Sequence, residues 1–226
     1  MARSNTSTRT GSSGSSRANA SARNEIIAML KDDHKRVKKA FRDFEKLDPQ
    51  EDAQSCQTLV ERTCAELEVH AELEEQLFYP AARAVIKEED LIDEAEVEHS
   101  TVKMLIEQLK GMGPADEKFA ATFKVLGEYV QHHIKEEEGE MFKQLGRAGS
   151  VWATVLEEMM SSREHLKEEK GLTAMEADVA ESGASQGRSS GGGASDSASG
   201  ARRVGSRSAG TAESRPQASD SEEEDE

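Results

Sequence analysis

The chain has 226 residues, 35% of them hydrophobic and 33% charged, with a formal net charge of -16. That length holds one ordinary domain plus tails, and the low apolar content means that part of it stays unfolded. The acidic balance opposes a nucleic-acid binder that works by neutralising phosphates, and no stretch is long and apolar enough to span a bilayer.

Residues 1–23 are rich in Ser and Thr, carry Arg3, Arg9, Arg17 and Arg23 with no acid, and lack the apolar core of a secretory signal. A disordered N-terminal tail and a cytoplasmic location are expected. Asn24 suits an N-cap and opens a helix over 24–46. Asp48-Pro49 marks a turn, with Pro49 and Glu51 suited to a first helical turn. A second helix over 51–79 should end or kink at Pro80. A third spans 90–110 and stops at Gly111-Met112-Gly113-Pro114. Pro114 opens a fourth over 115–145, and a shorter fifth covers 151–168. No segment alternates as a strand does. The fold class is all-α: an antiparallel up-down four-helix bundle over 24–146, with an additional C-terminal helix at 150–170. From 172 to 226 the chain is Gly/Ser-rich and ends acidic, which predicts a disordered tail. Cys56 and Cys64 would sit about 12 Å apart on one helix, too far to bridge.

The helical seams contain polar residues. The first helix sets Ile27, Leu30, Val37, Phe41 and Phe44 on one face, and His34 fills the gap. The third sets Ile92, Ala95, Val102, Ile106 and Leu109 there, and His99 fills its gap. In the second, His70 and Glu74 lie in register with Val60, Thr63, Leu67 and Leu77. In the fourth, His133 and Glu137 lie in register with Phe119, Phe123, Leu126, Val130 and Met141. His132 falls off the seam and should point outward.

A single core histidine usually hydrogen-bonds a neighbour. Six such residues in one layer need another account, because two are carboxylates and no Lys or Arg shares the seam near them. A divalent cation would supply the missing positive charge. Histidine and glutamate four apart share a helix face, so both can reach one metal or neighbouring metals. Four histidines and two glutamates suit a pair of ions bridged by the carboxylates. Nitrogen and oxygen donors without sulfur suit iron, manganese or zinc.

The stretches "DDHKRV" at His34, "HAELEEQLFYP" at His70, "EVEHSTV" at His99 and "HHIKEEEGEMF" at His133 resemble the hemerythrin family and its HHE cation-binding domain. The repeats suggest two helix pairs related by a pseudo-twofold. The resemblance implies a non-haem site of two iron ions, with His34, His70, His99 and His133 as terminal ligands and Glu74 and Glu137 bridging. Oxygen-carrying hemerythrins have a fifth histidine one turn before the third-helix ligand, and that position is Ala95 here. Glu66 and Tyr129, each one turn before a seam histidine, are the candidates for an additional shell. Glu75 and Glu138 are expected as solvated partners of nearby Lys or Arg. His165 and Glu169 repeat the spacing, but their helix offers no apolar seam there, so they should be solvated. Trp152, Val155, Leu156 and Met159 form a stripe expected to pack on the bundle.

The resulting expectation is a metal-binding protein that binds or senses oxygen, iron or redox state, with oxygen or peroxide as its small ligand and with no nucleic acid or membrane. A di-iron enzyme turning over peroxide or oxygen is the first alternative. A metal-independent interaction protein acting through its tails is the second.

Overall fold

Helix α1 spans Ser12–Phe44 and begins well before the expected start at Asn24. The computed structural model describes residues 12–145 and 151–175, all of them within one unit, Met1–Gly187. The early part of α1 has little apolar periodicity, and tertiary contacts hold it. Asn19 and Ala22 are buried, and Asn19 Oδ1 accepts the Ala153 N–H at 3.1 Å. That bond satisfies one orphan donor at the start of the last helix. Arg23 Nη1 donates to the Leu145 carbonyl at 2.9 Å. The expectation of disorder is thus corrected for 12–23, while residues 1–11 lie outside the described residues.

Helix α2 covers Ala53–Leu73 and passes into a π turn, π1, at Glu74–Phe78; helix α3 follows at Tyr79–Arg83. The Tyr79 N–H bonds the Glu74 carbonyl, one residue further back than in an α-helix. The extra residue resets the ladder, so Pro80 falls in the first turn of α3, where its missing N–H costs little. The helix therefore runs past Tyr79 instead of ending there. The inserted residue also moves the core position from Leu77, which is half-buried, to Phe78, which is fully buried.

Helix α4 is Asp90–Lys110, as its periodicity predicts. Helix α5 is Phe119–Glu136, preceded by turns over 115–118 where helix was expected. A second π turn, π2, occupies Glu137–Met141, and a short α6 occupies Phe142–Gln144. Helix α7 is Trp152–Glu169. Gly171, at φ 73°, reverses the chain after α7 and returns Leu172 to the core. The predicted tail boundary at 172 is corrected to this extent; residues 176–226 lie outside the described residues.

The described residues contain no strand, and none of their helices is long and apolar enough to cross a membrane. Helix α1 packs on α2 and α5, α2 on α4, and α4 on α5, which closes a ring of four; α7 lies against α1 and α2. Gly127 of α5 makes room for α1, since a Cβ there would lie 2.9 Å from Phe41 Cδ1. Two apolar clusters fill the interior. One gathers Ile26, Leu30, Leu73, Phe78, Trp152 and Met159, and the other Phe41, Val60, Leu67, Ile106 and Phe123. In α1 the seam residue is Ile26, not the expected Ile27, which is half-buried.

Candidate metal centre

The same face that carries these apolar residues carries His34, His70, Glu74, His99, His133 and Glu137, and all six are buried. They come from α1, α2, the start of π1, α4, α5 and the start of π2. His34 Nε2 faces His70 Nε2 at 3.2 Å, and His99 Nε2 faces His133 Nε2 at 3.1 Å. Each carboxylate touches both pairs. Glu74 Oε2 lies 3.2 Å from His70 Nε2 and 3.4 Å from His99 Nε2. Glu137 Oε2 lies 3.3 Å from His34 Nε2 and 3.6 Å from His133 Nε2.

Among the few buried side-chain atoms left without a hydrogen bond are Glu74 Oε1, Glu74 Oε2 and Glu137 Oε2. Unpaired carboxylate oxygens cost several kcal/mol to bury, by the roughly 1–3 kcal/mol or more lost for each orphaned polar group. Bare imidazole nitrogens facing one another gain nothing either. A cation between them satisfies both sets, so the donors fit a metal. The groups His34, His70, Glu74 and Glu137, and Glu74, His99 and His133, could each hold an ion, their ligand atoms lying within 4.8 Å of one another.

Burial pushes the Glu74 carboxyl well above the usual carboxylate range, and the Glu137 charge adds to it. Burial also raises Glu137, but His133, His34 and His70 outweigh it and bring that carboxyl to about 2. Without an ion the burial, the mutual repulsion and the histidines thus push the two carboxyls in opposite directions.

Every seam histidine hands its other nitrogen to an acid. His34 Nδ1 meets Glu138 at 3.0 Å, His99 Nδ1 meets Glu75 at 3.0 Å, His133 Nδ1 meets Glu98 at 2.8 Å, and His70 Nδ1 meets Asp33 at 3.3 Å. Such partners fix the tautomer, leaving the Nε2 lone pair free to ligate. Glu75 and Glu138 do pair with lysines, Lys103 at 2.6 Å and Lys38 at 3.5 Å, but they also serve the histidines and are only half-exposed. The hydrogen bond from His99 and then the Lys103 charge hold the Glu75 carboxyl at about 2.

These outer acids had a signal in the chain: Asp33 and Glu98 each precede a seam histidine, and Glu75 and Glu138 each follow a seam glutamate. Arg163 had none. From α7 it bonds both oxygens of Asp33, Nη1 to Oδ2 at 2.9 Å and Nη2 to Oδ1.

Neither additional-shell candidate reaches the centre. Tyr129 is exposed, since its helix turns it away from the seam. Glu66 accepts from Arg62 at 2.9 Å and lies 3.6 Å from Arg36. The residue that does reach in is Tyr79, brought round by π1. Its hydroxyl donates to Glu137 Oε1 at 3.2 Å and lies 3.4 Å from His99 Nε2. Burial, then the charges of Glu137 and Glu74, push that phenol well above its ordinary range. The counterpart of Tyr79 after π2 is Phe142, whose ring stacks on His34 at 6.2 Å. His132, His165 and Glu169 point to solvent, as expected. On the other side of the histidines lies a cavity of about 20 Å³ walled by Val37, Leu67, Val102, Val130 and Ile134, room for about one water-sized molecule.

The hemerythrin HHE cation-binding domain family matches residues 25–145. The chain belongs to that family. A hemerythrin HHE domain-containing protein from Mycobacterium kansasii shares the fold, with a TM-score of 0.52, 22% identity and coverage of 62% of this chain and 85% of that one. A protein from Nostoc sp. described as a DNA nickase is 30% identical over 117 residues, 52% of this chain. The HHE chain spans only 32% of the nickase's length. In this HHE domain the four sequence motifs converge on one buried layer, and the π turns place the two glutamates and Tyr79 within it.

Proposed function

We propose that the protein holds two iron ions, non-haem and bridged by carboxylates, within an antiparallel up-down four-helix bundle, and binds or senses oxygen, iron or redox state there. The observation that carries this reading is that Glu74 and Glu137 each touch one histidine of each pair, while both Glu74 oxygens and Glu137 Oε2 find no hydrogen-bond donor. His34 and His70 would hold one ion and His99 and His133 the other, with both glutamates shared. The choice of iron rests on family membership, because the donor set also suits manganese and zinc. When bound, redox-active ions supply electrons to a small oxidant such as oxygen or peroxide. The chain does the rest. The acids behind the histidines orient them, the apolar walls exclude bulk water, and Tyr79 Oη holds a proton beside Glu137 Oε1.

That proton donor favours a second reading, an enzyme that turns over peroxide or oxygen. Nicking of DNA is not proposed: the nickase shares only this segment, and a net charge of -16 opposes phosphate neutralisation. Metal analysis of protein loaded anaerobically with ferrous iron, with absorption spectra before and after oxygen, tests the proposal. About two iron atoms per chain and an oxygen-dependent band are expected from the six-donor set. One zinc per chain with no iron uptake overturns it.

A further inference from the structure

We infer that Arg163 is a positioning residue of the metal centre, setting His70 through Asp33; this deepens the metal-binding reading and rests on it. Helix α7 lies beyond the segment that the family match covers. It is nonetheless anchored in the core by Trp152 and Met159, so it carries Arg163 on a packed element. The guanidinium reaches both oxygens of Asp33, a two-point contact that sets the rotation of the carboxylate as well as its place. Oδ2, which Arg163 Nη1 holds at 2.9 Å, is the oxygen that accepts from His70 Nδ1 at 3.3 Å. Arg36 also binds Asp33, but at Oδ1, from one turn along the same helix and from an exposed position. Arg163 is therefore the cation that places the oxygen His70 uses. Through it His70 keeps its proton on Nδ1 and turns Nε2 toward His34 and Glu74.

The full chain is compared with Arg163→Met, Arg163→Lys, Asp33→Asn and the double variant Arg163→Met/Asp33→Asn. The first readout is the affinity of each site for ferrous iron, titrated anaerobically against a competing chelator. Arg163→Met should weaken one of the two ions by about tenfold, the lower end of what loss of an outer partner costs, and leave the other unchanged. Arg163→Lys keeps the charge without the fork and should recover only part. The double variant should be no weaker than Asp33→Asn alone, since the arginine acts through that acid. Unchanged affinities, equal weakening of both ions with loss of helicity, or additive effects overturn the inference. The second readout needs no metal: the His70 ring tautomer by nitrogen-15 NMR. A single Nδ1–H tautomer in the parent that becomes mixed in Arg163→Met supports the inference, and identical tautomers overturn it. A parent that binds no iron defeats the proposed function, while the NMR comparison still decides the role of Arg163.

Discussion

The two halves of the centre are built on one template and finished differently. In the half formed by α1 and α2, His70 leans on Asp33, a buried acid bonded by Arg36 and Arg163. In the half formed by α4 and α5, His133 leans on Glu98, whose other neighbours are the exposed His132 at 3.5 Å and, through it, Glu136. No arginine bonds Glu98 among the described residues. The rings above the halves differ by one hydroxyl, Phe142 over His34 and Tyr79 beside His99. The repeated spacing thus accounts for the donors, whereas the surroundings make one half clamped and the other open to an acidic surface and to a phenol.

The largest expected effect comes from removing the clamp. Asp33→Ala leaves Arg163 with a lost partner in a poorly hydrated place and should cost about 3–5 kcal/mol in denaturant unfolding of the metal-free chain, the range for breaking a buried pair. Glu98→Ala removes a half-buried acid that leaves no cation behind, only His133 Nδ1 without its partner, and should cost less, about 1–2 kcal/mol, as for one orphaned polar group. Equal costs would erase the distinction between the halves.

Stripping the metal should act on both halves at once. Binding to the folded state at about a thousand times its dissociation constant adds about 4 kcal/mol, and for a chain of this size that corresponds to a drop in Tm on the order of 10 °C. Calorimetry of chelator-treated and reloaded protein checks it; coincident transitions would mean that the orphaned carboxylates need no ion.

Protonation should separate the halves in the metal-free chain. Burial pushes His70 down to about 4, against the pull of Asp33. Burial also lowers His133, but Glu137 and Glu98 outweigh it and raise its value above the ordinary 6.5. The signs are opposite. The unfolded chain binds a proton at His70 before the folded one does, so stability falls as pH drops from 6.5 to about 4, by about 3 kcal/mol at 1.36 kcal/mol per unit. At His133 the folded state binds the proton more tightly, so its contribution is present below 6.5 and fades as pH rises through the raised value. Ring proton shifts followed by NMR should show His133 titrating well above His70.

The smallest change concerns the single hydroxyl. Tyr79→Phe makes the two rings alike and removes one hydrogen bond to Glu137, for a loss of about 1 kcal/mol in unfolding experiments on the metal-free chain. In iron-loaded protein, the oxygen-dependent absorption should change with Tyr79→Phe if the phenol serves the centre, and stay as in the parent if it only packs there.

The four seams and their six polar interruptions were legible because helix periodicity fixes which residues share a face, and a polar residue in an apolar row stands out whatever surrounds it. On that basis His133 was separated from His132, and α4 was bounded at both ends. The π turns were not legible: an α and a π turn differ by one hydrogen-bond partner, and Leu77-Phe78-Tyr79 offers apolar side chains in either register. An unbroken helical period therefore gives no reason to place Tyr79 at the centre, while Tyr129, one turn before His133, turns outward. The start of α1 and the return of Leu172 escaped for a related reason. Both are held by contacts with distant parts of the chain, Asn19 with Ala153 and Leu172 with the core, that leave no local pattern.

By itself, then, the sequence determined the helices, the order of their motifs and the donors on their inner faces, because each of these is a property of spacing along one chain segment. Only the tertiary structure decided how the donors divide into two pairs, that each glutamate spans both, and that α7 reaches back to Asp33. Those are distances between segments, set by how side chains fill the interior together, and no local spacing encodes them.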